Sequence, residues 1–175
     1  NPTGETVPRE VAHREGIRHR TAHVWIFRRR GGVVQILLQK RSDNKDSDPG
    51  CYDISSAGHV QAGDEFLPSA IRELKEELGI EAGEEDLEFA GYHKGYMEEM
   101  FYGRMFRDSE VSAVYVYSKP VDADRLTLQK EEVESVMWMG LGQCVEAVRN
   151  HRIPNCIYLD ELEMIEGYLC RSQEK

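Results

Sequence analysis

The sequence predicts an α/β (α+β) fold, with a mixed β-sheet and helices packed on it. Three observations lead there. Short apolar runs rich in Val, Ile and aromatic residues recur between glycine or polar turns. One central segment, residues 66–78, has helical rather than alternating periodicity. Two further helical stretches close the chain. With 175 residues, 40% of them hydrophobic, the chain matches one domain, since a single core usually serves ~100–200 residues. The expected core spans about 20–150, with a helical C-terminal extension over 155–175. The chain opens Asn1-Pro2-Thr3 without a Met, which reads as a truncated N-terminus.

Residues 1–20 carry weak local signals. Ala22–Phe27 (Ala-His-Val-Trp-Ile-Phe) reads as a strand, and Val33–Lys40 as a second. Arg28-Arg29-Arg30-Gly31-Gly32 between them makes a basic hairpin turn, with glycines suited to positive φ. Residues 41–50 form a polar loop. A short strand at Tyr52–Ile54 precedes a turn at Ser55–Gly58. The helix over 66–78 has Leu67, Ala70, Ile71, Leu74 and Leu78 on one face. Asp64 is its expected N-cap and Gly79 its C′ residue. Strands are expected at Leu87–Tyr92, Ser112–Tyr117 and Val136–Met139, and helices at Leu141–Asn150 and Asp160–Cys170.

Charge and cysteine content exclude several classes. The net charge is −10, which disfavours nucleic acid and anionic membrane as partners. The distribution is uneven: residues 1–45 hold ten bases and four acids, and the remainder is strongly acidic. Such asymmetry suits an anionic ligand at one end or a metal at the other. No apolar run approaches the ~20 residues of a membrane span. Cys51, Cys144, Cys156 and Cys170 include no CxxC pair, so no disulfide framework is expected and a cytoplasmic setting follows.

On the central helix, Glu73, Glu76 and Glu77 stand at i, i+3 and i+4, within about 100° of arc beside the apolar stripe. They repel one another. A solvated acidic face helped by Arg72 and Lys75 is one account; a hard divalent cation, which takes carboxylate oxygens, is the other.

The flanking residues bear on the choice. From Gly58 through Asp64, Arg72, Glu73, Leu74, Glu76, Glu77 and Gly79 to Ile80, the sequence resembles the Nudix box, GX5EX7REUXEEXGU with U aliphatic. The departure is Asp64, which replaces the first Glu and keeps a carboxylate there. Trp25–Gly63 and the Val136-Met-Trp-Met-Gly segment resemble the subgroup that contains isopentenyl-diphosphate isomerase and its hydrolase relatives. The resemblance implies a single Nudix domain, an α/β/α sandwich with a mixed sheet.

It also implies roles. Glu73, Glu76 and Glu77 would bind Mg²⁺ or Mn²⁺, joined by the Gly58 carbonyl, and Arg72 would hold a box glutamate. The implied reaction is metal-dependent hydrolysis of a diphosphate bond, in a nucleoside diphosphate linked to another moiety, by water attack on phosphorus. The general base is a box glutamate or an extra acid from a later segment; Asp108, Glu110, Glu131 and Glu132 are the candidates. Lys40, Arg41 and Lys45 are candidate phosphate contacts, and His59 a pocket-lining histidine. Tyr52, Tyr92, Tyr96, Phe101 and Tyr102 are candidates to stack on a base, and residues 91–106 are the expected substrate-facing insertion. The family includes many dimers, so a homodimer is compatible with the resemblance.

Two other readings compete. In the isomerase, a cysteine just before the Gly-His pair works as acid and base on carbon; here that residue is Ala57, which can do neither. The isomerase's metal-binding histidines have partial counterparts: His59 aligns well, His19 plausibly and His13 poorly, with Asp108 and Glu110 matching its later acids. A non-catalytic nucleotide sensor is the remaining reading, disfavoured because all three helix glutamates are present.

Overall fold

The computed structural model describes residues 3–171; the first two residues and the last four of the expected 155–175 extension lie outside them. In chain order the elements are α1 (Arg9–Glu15), β1 (His19–Arg30), β2 (Val33–Arg41), β3 (Tyr52–Asp53), β4 (Ser56–His59), α2 (Phe66–Leu78), β5 (Leu87–Phe101), β6 (Arg104–Tyr117), β7 (Val133–Gly140), α3 (Leu141–Arg149) and α4 (Leu159–Arg171), with 3₁₀ turns at Glu84–Asp86 and Ala123–Arg125.

Seven strands form one sheet along the path β3-β2-β1-β6-β5, with β4 paired to β1 and β7 to β2. The sheet is mixed, because β1 runs parallel to β6 while the other pairings are antiparallel. Alternation along β1 sends successive side chains to opposite faces. Ala22, Val24, Ile26 and Leu37 meet Leu74 and Leu78 of α2 on one face. Trp25, Ile36 and Leu38 meet Val145 and Val148 of α3 and Leu162, Ile165 and Leu169 of α4 on the other. Each fully buried side chain of this size removes enough apolar surface for about 1.5–3 kcal/mol. The result is the α/β/α sandwich with a mixed sheet. Among the described residues no helix is long and apolar enough to cross a membrane.

Several local expectations are corrected. The residues read as a turn before Gly58 form β4, pairing Ala22 with Gly58 and Val24 with Ser56. The N-cap of α2 is Glu65, without a side-chain cap hydrogen bond, rather than Asp64; Asp64 instead accepts from Arg72 Nη1 at 2.7 Å. Gly79 does end α2 in the left-handed conformation, φ 69°, and a Cβ there would stand 2.8 Å from Thr127. Residues 91–106, expected as a substrate-facing insertion, form the outer half of the long β5–β6 hairpin. The weakly patterned N-terminal segment holds α1, closed by Gly16 at φ 68°.

Candidate functional site

One large cavity of about 970 Å³ opens on the sheet edge between α1, the 42–50 loop, α2, the β5–β6 hairpin, the 129–132 loop and α4. Its side chains fall into two clusters.

The first cluster rests on α2. The helical spacing puts Glu73, Glu76 and Glu77 on the cavity side, at three depths: Glu76 is exposed, Glu73 half-buried and Glu77 buried at 6%. Glu77 Oε2 accepts from Ser56 Oγ at 2.7 Å, Gln39 Nε2 at 3.2 Å and the Ala57 amide at 3.3 Å. These donors belong to β2 and β4, so the sheet fixes the carboxylate before any ligand arrives. Burial pushes the Glu77 carboxyl up to about 8, against the pull of Ser56. Burial also raises Glu73, although Arg72 opposes it. Arg72 donates to Asp64 and Glu73, at 2.7 and 3.2 Å, and to the His59 carbonyl at 3.1 Å. It thereby ties the β4 end to the start of α2. Gly58 is required by packing: any Cβ there would collide with the Glu73 carboxylate.

This donor set fits a hard divalent cation. Three carboxylates and a backbone carbonyl at Gly58 are all oxygen ligands. A buried carboxyl raised to about 8 shows how costly its negative charge is without a counter-ion nearby.

The second cluster was only partly legible. His13 from α1, His19 from β1 and His59 from β4 converge, with ligand atoms within 4.8 Å of one another. His13 Nε2 lies 3.3 Å from His59 Nε2. Asp108 Oδ1 lies 3.2 Å from His19 Nε2 and 3.7 Å from His13 Nε2. His19, Asp108 and Glu110 form an overlapping group on β1 and β6. The His19 ring is aimed by a contact of Nδ1 with the Ile17 carbonyl at 3.0 Å. Burial first, then nearby Arg9, lowers His13 to about 4; burial and then His19 lower His59 to about 3. Both imidazoles are therefore neutral near pH 7 and keep a lone pair. Neutral imidazoles with a carboxylate are a donor set for a divalent transition metal. His59 is thus one corner of a cluster, not a solitary lining residue.

The remaining candidates divide. Lys45 lines the cavity but is engaged by Glu132 of the adjoining loop. Arg41 also lines it, yet its guanidinium is committed to Asp53 at 3.0 Å and the Ser47 carbonyl at 2.9 Å. Lys40 is not brought to the cavity; it pairs with Glu134 at 2.8 Å on the outer surface, which corrects its candidacy for phosphate. Asp108, Glu110, Glu131 and Glu132 all line the cavity. Of the aromatic candidates Tyr96 lines it, whereas Tyr52, Tyr92, Phe101 and Tyr102 do not. Sequence reading missed Tyr158 and Glu161, which close the floor from the start of α4. The period-2 run His19, Thr21, His23, Trp25 was the available signal for that polar face.

With this geometry in hand, the comparisons are specific. The NUDIX domain model matches residues 17–157. Nudix hydrolase 3 of Arabidopsis thaliana is 44% identical over 139 residues, covering 78% of this chain and 18% of the plant protein. An uncharacterized Nudix hydrolase of Clostridium acetobutylicum is 35% identical over 142 residues, covering 81% of this chain and 66% of that protein. The chain therefore spans less than a fifth of the plant relative and about two thirds of the bacterial one. Among solved structures, the NUDIX domain of Shewanella oneidensis NrtR, in complex with ADP ribose, aligns with a TM-score of 0.64 at 14% identity, over 97% of this chain and 93% of that one. This likeness speaks for the fold. A matched domain over most of the chain, with the glutamates of its helix on a cavity wall, places the chain in the Nudix hydrolase family.

Proposed function

We propose that this protein hydrolyses a diphosphate linkage in a nucleoside diphosphate joined to another moiety, by water attack on phosphorus. The observation that carries the reading is the disposition of Glu73, Glu76 and Glu77 along one cavity wall, with Glu77 held by Ser56, Gln39 and the Ala57 amide. Bound Mg²⁺ or Mn²⁺ supplies charge neutralisation on the phosphoryl oxygens and acidifies water. The glutamates with the Gly58 carbonyl would hold it. The residues do the rest. Arg72 keeps Glu73 in place. Lys45, which lines the same cavity, offers a cation to a phosphate once Glu132 releases it. Asp108, Glu110, Glu131 and Glu132 bring carboxylates that can take a proton from water.

A cavity near 970 Å³ suits a substrate of dinucleotide or nucleoside-diphosphate size better than inorganic diphosphate. Tyr96, on its wall, offers a ring for stacking. The histidine cluster with Asp108 is read as a second divalent-cation position. Isomerisation on carbon is disfavoured because Ala57 offers no acid. The test is a panel of diphosphates with the purified chain and Mg²⁺ or Mn²⁺. Phosphate-containing products from nucleoside-linked members support the reading; binding without turnover, or an isomerised isoprenoid diphosphate, rejects it.

A further inference from the structure

We infer that the C-terminal helix α4 is a working wall of the site, and that Glu161 is its positioning residue: through His23 it sets the Glu110 carboxylate in the cavity. The inference rests on the hydrolase reading above. It concerns a segment beyond the matched domain, which ends at residue 157.

The sheet face under α4 changes character along its strands. On β1, Trp25 is followed toward the cavity by His23, Thr21 and His19; on β6, Val116 and Val114 give way to Ser112, Glu110 and Asp108. Glu161 sits at the boundary with 1% exposure. Its carboxylate accepts from Trp25 Nε1 at 2.8 Å and from His23 Nδ1 at 2.9 Å. His93 Nδ1, from β5, lies 3.2 Å away, and Asp160 takes the other side of that ring at 3.0 Å. One helical side chain therefore reaches two strands that β6 separates.

Docking alone does not require this. Leu162, Ile165 and Leu169 already bury α4 against the core. A buried carboxylate adds desolvation cost and is often less stabilising than an apolar residue of similar volume. What it adds is direction. With Nδ1 held by Glu161, the His23 ring turns Nε2 toward Thr21 Oγ1 at 3.3 Å and Glu110 Oε1 at 3.6 Å. Glu110 is 5% exposed and still lines the cavity. The chain Glu161–His23–Glu110 thus leads from the helix to a carboxylate that faces substrate.

A double-mutant cycle on the full chain tests this, using Glu161→Gln, Glu110→Gln and the pair, with kcat and KM on the best diphosphate of the panel. Glu161→Gln is expected to lower kcat about 10-fold, the scale of lost outer-shell support, with KM within about twofold. The double variant is expected to match Glu110→Gln alone, since the effects act through one group. Losses that multiply would overturn the inference. Glu161→Asp takes its place in the cycle if the glutamine variant does not purify folded. A crystal structure of the Glu161 variant gives a readout independent of turnover: the Glu110 carboxylate is expected to leave His23 Nε2, and an unmoved carboxylate overturns the inference. If no diphosphate is hydrolysed by the parent chain, the hydrolase reading fails while this structural arm still decides the role of Glu161.

Discussion

His13 Nε2 and His59 Nε2 face each other at 3.3 Å, two rings from elements 46 residues apart that burial keeps neutral near pH 7. In the bare protein one of them must donate to the other. A shared cation would take both lone pairs instead. His13→Ala is therefore expected to remove one bound transition-metal ion per chain, counted by elemental mass spectrometry after Mn²⁺ loading and dialysis. Glu76→Gln should leave that ion in place. Equal stoichiometry in the parent and His13→Ala would reject the cluster as a metal position.

Glu76→Gln and Glu77→Gln should each lower kcat at least about 10²-fold with the fold retained, as expected when a metal-holding carboxylate is lost. Steady-state kinetics with circular dichroism checks both parts. The two should differ in stability: Glu77→Gln removes a buried carboxyl raised to about 8, so the metal-free variant should melt at or above the parent above neutral pH.

Gly58→Ala should impair turnover without removing a charged group. Its Cβ would meet the Glu73 carboxylate, so the side chain must swing out of its contact with Arg72. Weaker Mg²⁺ binding, read as a raised half-saturating concentration for the rate, is the expected sign.

The His23–Glu161 pair predicts a stability window. Burial alone would lower His23, yet Glu161 and Glu110 raise it to about 10. Glu161 is held below the usual carboxylate range by His23 and Trp25 despite its burial. A raised histidine contributes stability that is full below its unfolded value of 6.5 and is lost as pH climbs toward 10. The depressed carboxylate contributes above its unfolded value of 4.5 and is lost as pH falls. Thermal melts in chelator should show a maximum between those limits, and Glu161→Gln should flatten the alkaline limb.

Ala57→Cys alone should not yield isomerisation of isopentenyl diphosphate, assayed by product chromatography. The thiol would stand on β4 opposite His23, but a proton exchange on carbon needs a tuned partner as well.

Much of the fold was readable because its elements obey one period each. The α2 stripe, its closing Gly79 and the β1–β2 hairpin follow from local spacing alone. The Glu73, Glu76 and Glu77 arc was readable for the same reason. What was not readable depended on the sheet. Ser56, Ala57 and Gly58 are small, and only pairing with Ala22–Val24 makes them a strand. His13 and His19 lie in a segment without a strong pattern, and α1 brings them together through the sheet edge. Glu161 looks like any exposed acid on an amphipathic helix until α4 is docked over Trp25 and His23. Lys40 looked available for phosphate because its Glu134 partner lies on β7, nearly a hundred residues away.

The proposed reaction is water attack on phosphorus at the Glu73–Glu76–Glu77 wall. It is tested most directly by running the reaction in ¹⁸O water with Mg²⁺ and reading the phosphoryl products by mass spectrometry. A single ¹⁸O in one product is expected, and no products from Glu76→Gln on the same time scale. Products without the label, or equal turnover by the variant, would contradict it.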